Sequence, residues 1–198
     1  MTPRVSLLAL LLGLAVLCAP GHARAQSQGE AAARDVLIAL RVLAYDRALA
    51  TRATGDELTV LIVHAATNEG RADRDRWLAG FRMLPNVKAG GRHVSARAHE
   101  LAGADDLDAA VARLRPALVI AAGGVSRDIA TLRQVTRKRQ ALSFSLREAD
   151  VRAGLAAGVV RSDHKHEIVI NLDAARGEGI RFSAGLLKLA RLVEESRP

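Results

Sequence analysis

The chain has 198 residues, of which 49% are hydrophobic, 25% charged and only 3% aromatic. Those fractions exclude a disordered or collagen-like chain, and the single cysteine excludes an internal disulfide framework or a multi-cysteine metal cluster. The unusual quantity is a formal charge of +8, which raises the question of an acidic partner.

The chain opens on Arg4, an apolar run from Val5 to Leu17, the helix breaker Pro20-Gly21 and then Ala23-Arg24-Ala25. A cation, a short apolar stretch and an A-x-A site predict a secretory signal peptide cleaved after Ala25. The run is short for a membrane span, which needs about 20 apolar residues. Cys18 suggests lipidation, but Leu17 stands where a lipobox takes a small side chain. Cleavage leaves residues 26–198 without a cysteine and, by removing Arg4 and Arg24, lowers the charge from +8 to +6. The expected location is the periplasm.

No Pro- or Ser-rich linker and no repeat interrupts the rest, so residues 26–198 read as a single α/β domain. Helical spacing of Val36, Leu40 and Leu43 predicts a helix over Glu30–Ala50. Leu58–Val63 (LTVLIV) is a strand covered on both faces. Asn68–Met83 is helical around Trp77, Leu78 and Phe81, and His93–Ala98 alternates as a strand. Asp105-Asp106 caps a helix that Pro116 ends, and Ala117–Ala121 (ALVIA) is another buried strand. Ser126 caps a helix to about Arg137, and Ala141–Leu146 is a strand. Gly158–Arg161 and His166–Asn171 form a hairpin, followed by helices at Leu172–Gly177 and Ser183–Glu195. The alternation implies a three-layer α/β sandwich, a mostly parallel sheet with a C-terminal antiparallel hairpin.

Few motifs carry chemistry. There is no G-x-S-x-G, H-E-x-x-H, P-loop or G-x-G-x-x-G, so no catalytic residue is assigned, no cofactor is expected and an enzyme is not the expected class. His164 and His166, two apart on a strand, share a face with Asp163 beside them. Two imidazoles underfill a metal site that takes three or four ligands, so no metal is assigned. Ligands of open α/β sheets lie beyond the carboxyl ends of the strands. Those ends supply His64, Thr67 and Asn68 after one strand, and Gly123, Gly124, Ser126 and Arg127 after another. The glycine pair ahead of a helix offers backbone N–H groups to an anion, and equally suits a tight turn with no ligand. The basic excess is 25 Arg against 4 Lys, scattered, with five aromatics in the chain, so a nucleic-acid surface is not expected.

One stretch is more specific. Within Gly158–Val193 lies I-N-L-D-A-A-R-G-E-G-I-R-F-S-A-G-L-L-K-L-A, which resembles the closing signature of the YfiR family of exported proteins. Ile170-Asn171, Ala174-Ala175, Ser183, Leu186-Leu187 and Leu189-Ala190 match it, with Asn171 as a helix cap. The resemblance implies a periplasmic regulator, not an enzyme, that represses a membrane-bound diguanylate cyclase by binding its periplasmic part. It also implies relief of repression by an outer-membrane lipoprotein, and a homodimer. Some relatives carry disulfides that this chain lacks after cleavage, so redox sensing is not expected of it, and the partner is left open between such a cyclase, a sensor kinase and a transport system. The other reading is a small-ligand, anion-binding protein of transport or sensing type at the strand ends.

Overall fold

Alternate side chains of two apolar strands enter two different cores, and this organises the molecule. In the computed structural model, which describes residues 19–53, 55–162 and 165–195, strand β1 (Glu57–His64) sends Leu58, Val60 and Ile62 into one cluster. Its Leu61 and Val63 enter another. Strand β4 (Leu118–Ala121) does the same, with Leu118 and Ile120 on the first side and Val119 and Ala121 on the second. A strand period of two thus turns a continuous apolar run into a middle layer buried on both faces. The apolar run Val5–Leu17 and Cys18 lie outside the described residues, as do Asp163 and His164.

The remaining strands are β2 (Lys88–Ala89), β3 (Arg92–Glu100), β5 (Leu142–Ser145), β6 (Ala157–Ser162), β7 (Lys165–Ile170) and β8 (Arg191–Leu192). The sheet order is β2-β3-β1-β4-β5-β6-β7-β8. Strands β3, β1, β4, β5 and β6 are mutually parallel. The hairpin β6–β7 is antiparallel, β8 runs parallel to β7, and β2 pairs antiparallel with β3. The chain is therefore a mixed α/β protein with a mostly parallel sheet and a C-terminal antiparallel hairpin.

Helices α1 (Ala19–Ala44) and α3 (Asn68–Arg82) pack together over one face. Helices α4 (Ala104–Leu114) and α5 (Ile129–Arg139) cover the other. On α1 the buried apolar residues are Ala32, Ala33, Val36, Ala39, Leu40, Val42 and Leu43, a broad apolar face at helical spacing. The expected cleavage position after Ala25 falls inside α1. Gly80 of α3 allows close approach to α1, since a Cβ there would lie 2.6 Å from the Ala32 carbonyl oxygen. Trp77, the largest side chain buried by α3, meets Phe144 of β5 edge-on, with ring centroids 6.4 Å apart.

Short elements complete the chain: α2 (Leu49–Arg52), α6 (Glu148–Arg152), α7 (Leu172–Gly177) and α8 (Ala184–Leu187). Asn171 caps α7 through Oδ1, which accepts from the Ala174 N–H at 3.0 Å. Four expectations are corrected. The helix expected over Glu30–Ala50 ends at Ala44, and the chain turns through residues 45–48 before α2. The helix expected over Ser183–Glu195 ends at Leu187, and Arg191–Leu192 instead pairs with β7, where Val193 N–H donates to the Ile170 carbonyl at 2.9 Å. The open backbone edge of β7 takes the segment that helical spacing assigned to a helix. Ser126 is no helix cap but sits inside a 3-10 turn, Val125–Asp128, that precedes α5. Gly103, not Asp105 or Asp106, caps α4, and both aspartates occupy its first turn, where they complement the helix dipole.

Candidate functional site

The order of β3, β1, β4 and β5 puts a topological switch between β1 and β4, because the chain leaves β1 towards one edge and β4 towards the other. Residues from both strand ends meet there. The Ala65 N–H donates to the Gly123 carbonyl at 3.4 Å, and the Ala122 N–H to the Val63 carbonyl at 2.8 Å. Gly124 has φ +81 and packs on Ala65 and Thr67, so close that a Cβ would lie 2.8 Å from the Ala65 Cβ. That backbone conformation and that gap both require glycine.

The seven strand-end residues have different environments. His64 is buried, and its Nδ1 donates to the Ala65 carbonyl at 3.0 Å. Thr67 caps α3, its Oγ1 accepting from the Gly70 N–H at 3.0 Å. Asn68 is exposed and accepts from Arg71 at 3.1 Å. Ser126 and Arg127 lie in the 3-10 turn, Arg127 exposed. The Gly123 N–H donates to Asp73 Oδ2 at 2.8 Å.

Next to this turn is a crevice of about 440 Å³ between the ends of β4 and β5. Glu69, Asp73 and Arg76 of α3 form one wall, Gly123 the floor, and Ser145 and Arg147 the other wall. Arg76 links the wall to the interior. Its Nε donates to Asp73 Oδ1 at 2.8 Å and its Nη1 to Asp35 Oδ2 at 2.6 Å. Burial pulls the Arg76 pKa down, but the carboxylates of Asp73 and Asp35 outweigh it and hold the guanidinium charged. Of the seven residues only Gly123 lines the crevice. Sequence reasoning missed Asp73 and Arg76, whose relation to Gly123 is a contact between α3 and a loop 50 residues on.

At the opposite end of the sheet a second cleft, of about 810 Å³, is lined by Arg47, Arg52, Arg176 and Arg181. These come from two stretches more than 120 residues apart, 47–52 and 176–181, so no spacing in the sequence reveals them. Elsewhere, Glu178 is fully buried, its Oε2 accepting from the Ser143 N–H at 2.8 Å. Burial pushes its carboxyl up to about 7, against hydrogen bonds from Ser143 and Thr136 that pull it back. On the hairpin, His166 is exposed opposite Arg161. Among the described residues no group of three or more His, Cys, Asp or Glu comes together to hold a metal ion. No helix among them is long and apolar enough to cross a membrane. Leu189 and Leu192, at 72% and 51% exposure, flank the β8 edge.

Several solved structures share the fold. A ligand-free, open substrate-binding protein with adhesive properties from Clostridium difficile matches with a TM-score of 0.53 and 8% identity, over 70% of this chain and 55% of that one. An ABC domain in complex with L-Trp from Streptococcus pneumonia matches at 0.50 and 13% identity, over 77% of this chain and 62% of that one. A conserved domain protein from Vibrio cholerae matches at 0.56 and 13% identity, over 81% and 59%. The chain thus spans less than two thirds of each, and at such identity the likeness is one of fold. No curated protein matches the sequence. The family model described as DUF4154, YfiR/HmsC-like, matches residues 81–191, which run from the end of α3 to β8 and include the whole closing signature. This chain belongs to the YfiR/HmsC-like family.

Proposed function

We propose that the chain is an exported regulatory protein that binds the periplasmic part of a membrane signalling protein, such as a diguanylate cyclase, and holds it inactive. Family membership over residues 81–191 carries this reading. Two features support it: an N-terminal segment with the pattern of a cleaved leader, and two exposed leucines, Leu192 on the edge strand β8 and Leu189 three residues before it. An apolar pair on an open edge suits a protein partner that adds surface there. A homodimer, a second partner of outer-membrane lipoprotein type, and a sensor kinase in place of the cyclase belong to the same proposal.

Deleting the gene is expected to raise cyclic-di-GMP and biofilm output. Re-expression of the wild type, but not of the L189D/L192D variant, restores the low level. Both variant sites are exposed, so the variant should melt like the wild type. Unchanged cyclic-di-GMP on deletion would count against a cyclase partner, and full rescue by the variant would exclude this edge as the interface.

A second reading is supported by the crevice of about 440 Å³ at the strand ends. There the protein binds a small ligand in transport or sensing, and a thermal-shift screen that responds only to compounds lost in an Arg147→Ala variant would favour it.

A further inference from the structure

The arginine-lined cleft lies at the amino ends of the strands, away from the switch point, and how its side chains are held sets it apart. A short antiparallel bridge joins Asp46 to Phe182. The Arg47 N–H donates to the Arg181 carbonyl at 2.9 Å and the Ser183 N–H to the Tyr45 carbonyl at 3.0 Å. In that register Arg47 and Arg181 are directly opposite, with side chains on the same side. Like charges directly opposite destabilise a strand pair. Both residues are exposed, and among the described residues neither side chain has a hydrogen bond or ion pair.

The neighbouring cations are treated differently. Lys138 and Arg139 share an ion pair with Asp108, at 2.8 and 2.6 Å. Arg52 is clamped by buried Asp46, its Nε donating to Oδ2 at 3.2 Å. Arg176 reaches Asp173 at 3.3 Å, but both side chains are more than 70% exposed, so water competes with that pair. Complementing a helix C-terminus accounts for Arg176, in the last turn of α7. It does not account for Arg47 and Arg181 facing one another. No carboxylate lines the cleft, and half-buried Phe182 supplies apolar surface beside the arginines, while Ile180 beneath it belongs to the core.

We propose that this cleft binds a small organic phosphate monoester, with the phosphate between Arg47 and Arg181 and the organic part against Phe182. Two guanidinium forks suit the geometry of one phosphate and relieve their own repulsion by binding it. A volume of about 810 Å³ falls within the usual range for small-molecule sites. The inference stands apart from the regulatory reading: a regulator with no ligand here would still bind its partner.

The test is calorimetric titration of the full chain with phenyl phosphate, beside inorganic phosphate and benzyl alcohol. Saturable binding of phenyl phosphate is expected, at least about tenfold tighter than inorganic phosphate, with none for the alcohol. Arg47→Gln and Arg181→Gln should each weaken binding by about tenfold or more while melting no lower than the wild type, because repulsion is relieved. Arg113→Gln, an exposed arginine on α4, is the charge control and should bind normally. No saturable binding to the wild type, or equal binding by both cleft variants, would overturn the proposal. So would loss of binding in Arg127→Gln but not in Arg47→Gln, which would place the anion at the strand ends. Equal affinity for phenyl and inorganic phosphate would overturn the monoester assignment and the role of Phe182.

Discussion

Asp73 Oδ2 accepts the backbone N–H of Gly123 at 2.8 Å, so a carboxylate on α3 occupies the glycine turn that follows β4. An N–H that the sequence offers to an external anion is held by an internal one. Truncating Asp73 to Ala should therefore do two things. Stability falls by about 1–3 kcal/mol, the cost of a donor left without its partner. Inorganic phosphate, added during urea unfolding, then stabilises the variant more than the wild type. Equal phosphate response in both proteins would show that the turn does not bind anions even when vacant.

The same wall continues into the interior through Arg76 to Asp35, whose side chain is wholly buried on α1. Arg161 of β6 also donates to Asp35, so one carboxylate ties α1 to α3 and to the hairpin. Either arginine alone still compensates the buried charge, whereas losing both leaves it bare. The double variant R76A/R161A should lose more stability than the two single variants together, by about 1 kcal/mol or more. Chemical denaturation of the four proteins measures this coupling, and strict additivity would refute it.

Glu178 gives the molecule a pH dependence of unusual sign. Its carboxyl rises from 4.5 to about 7 in the fold, with burial as the main cause. The protonated form also suits its neighbours. Thr136 Oγ1 lies 2.6 Å from Oε1 and 2.9 Å from the Leu132 carbonyl, so a protonated carboxyl donates to the hydroxyl while the hydroxyl donates onward. Between pH 4.5 and 7 the folded state binds more protons than the unfolded one, so this group's contribution is complete in acid and is lost as pH rises through 7. The loss amounts to about 3 kcal/mol. Glu178→Gln should remove that fall, gaining on the wild type from pH 5 to pH 8. A constant difference between the two across that range would sink the assignment.

Gly80 tests the packing of α1 on α3. A methyl group there meets the Ala32 carbonyl oxygen at 2.6 Å and Val36 Cγ2 at 3.0 Å, and backbone cannot step aside as a side chain can. Gly80→Ala is expected to cost about 1–3 kcal/mol by overpacking, despite the better helix propensity of alanine. An unchanged urea midpoint would mean that the two helices separate without penalty.

The parts of the fold legible in the sequence are those where one local pattern decides. LTVLIV and ALVIA read as doubly covered strands because each alternate residue needs its own core. The last segment reads as a helix because Leu186, Leu189 and Val193 keep helical spacing, while what decides is the open edge of a strand some 20 residues earlier. The four-residue α2 and two-residue β2 are too short to show a period at all. The strand ends were locatable from topology, but their charges were not. Asp73 meets Gly123 across 50 residues of sequence, and Arg47 meets Arg181 from nearly the other end of the chain.

Asp46 has a kinetic consequence. Buried at the end of α1, its Oδ1 accepts from the Arg181 N–H at 2.9 Å, across 135 residues, and from the Ala48 N–H at 3.0 Å. A contact that closes so long a loop forms only after the intervening sheet has brought its ends together. Substituting Asp46 by Asn should leave the refolding rate nearly unchanged and speed unfolding, a φ-value near zero that stopped-flow measurement would read. The corner that sets the arginines side by side is then the last part of the domain to assemble and the first to open.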